Sequence, residues 1–174
     1  MDNCKITEFK KIVYPNSYHD DNAISNVVSY ICQPSKTPSN LIGGVGIDLD
    51  RIAESMIAVS QRFGEYSGIR LHHFVVYFSQ SDKPTLEMIL RIAMDISRWI
   101  GYSHQIVFAV HEDEPNLHIH FVFNAVSYID GYKYPGGMEQ YYDIFDFVKV
   151  VLHAYNLGPL LPLPSESEGG SIHE

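Results

Sequence analysis

The chain has 174 residues, 45% of them apolar, enough for one domain with a buried core. Its formal net charge of −9 argues against a protein that coats nucleic acid through a broad basic surface, although Lys10, Lys11, Lys36, Arg62, Arg70, Lys83 and Lys133 could still line a local groove. No apolar run reaches membrane-spanning length, the start Met-Asp-Asn-Cys-Lys lacks a signal-peptide layout, and Cys4 and Cys32 lack metal-ligand spacing. A soluble, cytoplasmic protein with reduced thiols and no membrane insertion is expected.

Residues 4 to 14 read as an opening strand. Asp20, Asp21 or Asn22 can cap a helix over roughly 22 to 33, with Ala23, Val27 or Val28, and Ile31 facing the core and Tyr30 in the last turn. Pro34 and Pro38 stop helicity and leave Ser35-Lys36-Thr37 as a polar turn. The stretch Leu41-Ile-Gly-Gly-Val-Gly-Ile47 lacks the Gly-Lys-Ser/Thr ending of a phosphate loop and reads as a glycine-softened strand. Asp48 or Asp50 is placed to cap a second helix reaching Phe63, with Ile52, Met56 and Val59 at helical spacing.

Ile69 to Ser79 is dense in β-branched and aromatic residues, as a central strand buried on both faces would be. Pro84 fits the first turn of a helix carrying Leu86, Ile89, Leu90, Ala93, Ile96 and Ile100, which Gly101 ends. Asp130-Gly131 is a turn dipeptide between Ala125 to Ile129 and Tyr132 to Tyr134, predicting a further strand. A last helix from about Glu139 to Tyr155 carries Tyr142, Phe145, Val148, Val151 and Leu152. Residues 1–157 then form one domain, and 158–174, proline-rich and acidic without periodicity, a flexible tail.

The chemistry concentrates in His111-Glu-Asp-Glu-Pro-Asn-Leu-His118-Ile-His120-Phe-Val-Phe-Asn124. In a strand, His118 and His120 share one face while Leu117, Ile119, Phe121 and Phe123 share the other, giving one wet face and one core face. Asp113 to Asn116, with Pro115 inside it, reads as a tight reversal, so an antiparallel hairpin would bring His111 beside the pair. Three imidazoles so gathered suit one divalent metal, and they admit Mn²⁺, Zn²⁺, Co²⁺ or Ni²⁺ on chemical grounds.

This order of elements, ending in a strand pair with His-x-Asp-x-x-x-x-His-x-His, resembles the relaxase/mobilisation nuclease family, the MobP-like branch of the His-hydrophobic-His (HUH) endonucleases. Most of residues 5 to 155 take part. Tyr30-Ile-Cys-Gln-Pro-Ser-Lys36-Thr37 looks like the family's tyrosine motif and His72-His73-Phe-Val-Val-Tyr-Phe-Ser79 like its middle strand. His111-x-Asp113, His118-Ile-His120 and Asn124 look like its third motif, with Asp130-Gly131 behind.

The resemblance implies a palm-like α+β fold, a central antiparallel sheet of about five strands with helices packed on it. It implies metal-dependent nicking of single-stranded DNA at an origin of transfer, a tyrosine becoming joined to the 5′ phosphate. Tyr30 is then the expected nucleophile, with Tyr141 and Tyr142 as rivals because replication-initiator relatives carry their tyrosine after the histidines; Tyr14 and Tyr18 are further alternatives. His111, His118 and His120 become the ligands of one divalent ion, Mn²⁺ or Mg²⁺ first. Asp113 and Asn124 support them, Lys36 and Thr37 contact DNA, and either His72 or His73 approaches the metal. Trp99, Tyr102 and His104 read as core or surface positions, with base stacking as the alternative. Accessory DNA-binding and coupling proteins are the partners such an enzyme would meet. The competing functions are a replication initiator or transposase, a non-catalytic DNA-binding relative, and a metal hydrolase with Asp113 or Glu112 as base.

Overall fold

Alternation along the strands decides which residues meet which helices. The computed structural model describes residues 7–12, 18–82 and 84–162; Cys4, Tyr14, Lys83 and residues 163–174 lie outside them. Its strands are β1 (Thr7–Ile12), β2 (Ile42–Val45), β3 (Leu71–Tyr77), β4 (Ile106–His111), β5 (His118–Asn124) and β6 (Leu160–Pro162), in the order β2-β4-β5-β3-β1-β6. Every pairing is antiparallel except β1 with β6. The helices are α1 (Asp21–Ile31), α2 (Ile52–Phe63), α3 (Leu86–Ile100) and α4 (Met138–Ala154). This is the expected α+β sheet with helices on it.

One face of the sheet presents Phe74, Val76, Ile106, Phe108, Ile119, Phe121 and Phe123 to α3 and α4. Phe74 and Phe121, registered opposite one another, stack at 4.7 Å. Thr85 caps α3 by accepting the Met88 N–H at 3.2 Å, and Ile89, Ile92, Ala93 and Ile96 beneath it are fully buried. Each of the isoleucines contributes roughly 1.5–3 kcal/mol of transfer free energy. The other face presents Leu71, Val107, Ala109 and Val122 to α1 and α2, which contribute Ala23, Ile24, Val27, Ile31, Ile52 and Met56.

Several expectations are corrected. The face of β5 that bears the histidines is not wet: all seven of its residues are buried, because α1 and α2 cover that side. Asp20 does cap α1, accepting the Ala23 N–H at 2.9 Å, but neither Asp48 nor Asp50 caps α2. The residue before α2 is Arg51, and the Asp48 carboxylate instead accepts the Asp50 N–H at 3.0 Å, closing the preceding turn. Pro84 stands outside α3, one residue before its cap.

The 125–134 segment makes one isolated bridge, Val126 with Lys133, rather than a strand, because Ser127 and Asp130 curl the loop tip onto its own N–H groups. In α4 the inward series runs Tyr141, Phe145, Val148, Leu152, so Tyr142 is 50% exposed. Leu160–Pro162, within the segment expected as a tail, adds a sixth strand parallel to β1.

Candidate active site

The hairpin of β4 and β5 sets His111 directly opposite His118, with His120 one pleat further along the same face. Ring centroids lie 4.2 Å apart for His111 and His120, and 5.1 Å for each of the other two pairs. One nitrogen from each ring falls within 4.8 Å of the others.

Hydrogen bonds decide which nitrogens remain available. His111 Nε2–H donates to the Ile31 carbonyl at 2.8 Å, at an end of α1 that has no helical donor of its own. His118 Nδ1–H donates to the Asn116 carbonyl at 3.0 Å. His120 Nδ1 lies 2.8 Å from His73 Nε2. The remaining nitrogens include two buried atoms without a hydrogen-bond partner, His111 Nδ1 and His120 Nε2. Orphaned lone pairs on a buried, converging donor set fit a divalent ion. Burial holds His111 and His120 below the usual imidazole range, so both are the neutral species that ligation requires.

Around this cluster α1 delivers Tyr30, 46% exposed. Its ring stands edge-on to His120 at 5.8 Å and to His111 at 6.2 Å. Lys36 Nζ lies 5.0 Å from the centre of that ring and 3.0 Å from Asp113 Oδ2, and Asp113 Oδ1 is 3.9 Å from His111 Nδ1. The Asp113 hydrogen bond raises the Lys36 ammonium above its ordinary value. Burial would raise the Asp113 carboxyl, but Lys36 holds it below the usual range. The Glu112 N–H donates to the Lys36 carbonyl at 3.2 Å, so the turn after α1 and the hairpin tip are joined twice.

The family profile for a relaxase nuclease domain of the MobA/VirD2-like type matches residues 30–157. The chain belongs to the MobA/VirD2-like relaxases. It is also similar to two proteins called Protein TraI from Escherichia coli. One is 32% identical over 78 residues, 44% of this chain and 10% of that protein. The other is 38% identical over 58 residues, 33% of this chain and 8% of that protein. The matched stretches are thus a small part of those relatives. No solved structure matches.

In this relaxase the matched region starts at Tyr30 and encloses Lys36, Asp113 and the three histidines. The rival tyrosines lie elsewhere: α4 packs on the opposite face of the sheet, where the Tyr141 ring meets Phe9 at 5.4 Å and Tyr142 leans on Tyr141 at 5.2 Å. Asn124, expected to support the histidines, makes its hydrogen bonds elsewhere. It stands four residues beyond His120, roughly 13 Å along the strand. Its amide donates to the Met56 carbonyl at 2.9 Å and Gln105 Oε1 at 3.1 Å, and its carbonyl accepts the Val126 N–H at 3.1 Å. Thr37, expected to touch DNA, is 1% exposed with its hydroxyl turned to the Pro38 carbonyl.

Of the other expected groove cations, Arg70 is buried against Asp21 and the Glu65 carbonyl, and Lys133 faces Glu65. Burial pushes the Cys32 thiol up to about 11, so it stays protonated. Trp99 of α3 stacks on Phe147 of α4 at 4.4 Å, Tyr102 is 84% exposed, and His104 is buried beside Ser103.

His72 and His73 separate as alternation requires. His72 stacks on Phe123 at 4.9 Å on the α4 side, while His73 reaches His120 and, through Nδ1, the Tyr18 hydroxyl at 3.3 Å. Burial pushes the His73 imidazole down to about 3. Tyr18, expected as an alternative nucleophile, stands behind this pair and is 7% exposed; its contact with His73 went unread in the sequence. Only the register of β3 on β5, with Val75 opposite His120, brings His73 within reach.

Proposed function

We propose that this relaxase domain nicks one strand of DNA at an origin of transfer during mobilisation of a plasmid or integrative element, with Tyr30 as the nucleophile. The observation that carries the reading is the fastening of the end of α1 to the cluster. The Ile31 carbonyl receives the His111 N–H, and the neighbouring Tyr30 ring stands 5.8 Å from His120.

His111 through Nδ1, and His118 and His120 through Nε2, would hold a divalent ion that, when bound, neutralises the non-bridging oxygens of a phosphodiester. Three imidazole nitrogens favour Mn²⁺, Zn²⁺, Co²⁺ or Ni²⁺ over Mg²⁺, which prefers oxygen. The Tyr30 phenol oxygen attacks phosphorus, its proton passes to solvent, the bond from phosphorus to the 3′ oxygen breaks, and that oxygen leaves as a hydroxyl after taking up a proton. One phosphate ester is exchanged for another, so the 3′ hydroxyl can later reverse the step and reseal the strand. Lys36, held by Asp113 over the Tyr30 ring, places positive charge where phenolate and phosphate meet. Among the described residues no helix is long and apolar enough to cross a membrane, and action on single-stranded DNA in the cytoplasm, with accessory DNA-binding and coupling proteins, belongs to the same proposal.

The test is incubation with Mn²⁺ and single-stranded oligonucleotides tiling the origin region of the element that carries the gene, followed by a denaturing gel. Wild type should give a covalent adduct and Tyr30→Phe none. An adduct that survives Tyr30→Phe but disappears in Tyr142→Phe would overturn the assignment. Cleavage to free ends without an adduct would favour a water-activating hydrolase.

A further inference from the structure

Two hydrogen bonds join three rings behind the cluster. Tyr18 Oη is 3.3 Å from His73 Nδ1, and His73 Nε2 is 2.8 Å from His120 Nδ1. Tyr18 is 7% exposed and His73 is 4% exposed, so water does not compete at either ring. The backbone on either side is fixed as well. The Arg70 N–H donates to the Tyr18 carbonyl at 2.7 Å, and Arg70 in turn bonds Asp21 at 2.8 Å in the first turn of α1.

A short nitrogen-to-nitrogen contact between neutral imidazoles holds one proton, and only two arrangements satisfy the line. In the first, His120 carries its proton on Nδ1 and donates to His73 Nε2. His73 then carries its own proton on Nδ1 and donates to the Tyr18 oxygen. His120 Nε2, buried and without a partner, is left with a lone pair aimed at His111 and His118. In the second, every proton is reversed: Tyr18 donates to His73, His73 donates to His120, and His120 is left with an N–H on Nε2, buried with nothing to receive it. The second state leaves an unsatisfied buried N–H, roughly 1–3 kcal/mol, and it cannot ligate; the first leaves over only the Tyr18 hydroxyl hydrogen, which rotates to suit its surroundings.

We propose that Tyr18 and His73 are positioning residues that fix His120 in the Nδ1–H tautomer and so present its Nε2 to the cluster. This rests on the metal-binding part of the proposed function. The line also ties that ligand to the segment entering α1, the helix that carries Tyr30 at its far end. Ligand orientation and nucleophile placement therefore share one support.

The experiment uses the full chain with ¹⁵N-labelled histidine. Metal-free wild type should show a scalar coupling across the hydrogen bond between His120 Nδ1 and His73 Nε2, with the proton on His120. Absence of that coupling, or a proton residing on Nε2 of His120, overturns the proposal whether or not the protein binds metal. Zn²⁺ titration by calorimetry then separates the two readings. If wild type and His118→Ala bind Zn²⁺ equally, the metal site fails while the metal-free spectrum still decides the tautomer. If the site stands, His73→Phe should weaken Zn²⁺ binding by roughly 10- to 100-fold. His73→Gln, whose carbonyl can accept the same N–H, should recover most of it, and Tyr18→Phe should fall between. Unchanged Zn²⁺ affinity in a His73→Phe protein with native circular dichroism, or equal losses in Phe and Gln variants, would refute the positioning role.

Discussion

Replacing Asn124 by alanine distinguishes a support for the histidines from a pin that holds the sheet to α2. The side chain is fully buried and makes three hydrogen bonds: two donated, to the Met56 carbonyl and Gln105 Oε1, and one accepted, from the Val126 N–H. At about 1 kcal/mol net for each, the loss is about 3 kcal/mol, because water cannot replace the amide at a site with no exposure. In a chain of this size that lowers Tm by about 6–12 °C. Gln105 keeps its bond to Ser55 at 2.7 Å, which bounds the damage at that end. Thermal unfolding of Asn124→Ala beside wild type measures the first quantity, and Zn²⁺ calorimetry well below the lowered Tm measures the second. The expected result is a large fall in Tm with Zn²⁺ affinity within about threefold of wild type, since additivity holds between sites this far apart. A variant as stable as wild type that has lost metal affinity would show the reasoning wrong and return Asn124 to the cluster.

Acid should destabilise the fold. Burial pushes His73 down to about 3 and lowers His111 and His104 as well, whereas unfolded histidines titrate near 6.5. Below that value the unfolded chain binds protons that the folded one refuses. Stability is therefore full above pH 6.5 and falls as pH drops, the slope from His73 alone approaching about 1.4 kcal/mol per pH unit down to its folded value. Urea midpoints at pH 7.5 and 5.5 check this, and equal midpoints contradict it. Gly136 has φ +66°, and a Cβ there would overlap the His72 ring; Gly136→Ala should cost about 1–3 kcal/mol in thermal unfolding. Lys36→Ala should slow adduct formation roughly 10- to 100-fold and leave Zn²⁺ affinity unchanged, with Lys36→Arg partly restoring the rate in the gel assay.

The cluster was legible because period-two alternation and a proline-containing turn are local signals: His111, His118 and His120 needed no partner beyond their own hairpin. Tyr30 at the end of α1 was legible for the same reason, through Asp20 before the helix and Pro34 after it. What alternation cannot give is the neighbour across the sheet. It placed Asn124 on the histidine face but not against Met56, and it separated His72 from His73 without saying which approached His120. The wet face was misjudged because whether a strand face is covered depends on where α1 and α2 pack, and those contacts are distant in sequence. β6 carried no periodicity in three residues, and only pairing with β1 makes it a strand.

The two demands of strand transfer pull in opposite directions, and the architecture divides them. On the proposed reading, ligand imidazoles must be neutral, which burial favours at His111 and His120, while a nucleophile that meets a polymer strand must be open to solvent. Here the three histidines are 0–4% exposed and Tyr30 is 46% exposed, yet its ring stands 6.2 Å from His111 and 5.8 Å from His120. A single residue step at the end of α1 makes this change: the Ile31 side chain is fully buried and its carbonyl holds His111, while the preceding Tyr30 turns outward. Aromatic packing on the far side stiffens the floor, since Phe74 and Phe121 stack on the sheet face opposite His120. On the proposed reading, a DNA strand need enter only at the hairpin end of the sheet, past Lys36 and Asp113. This reconciles a local reaction at phosphate with a chain whose net charge is −9.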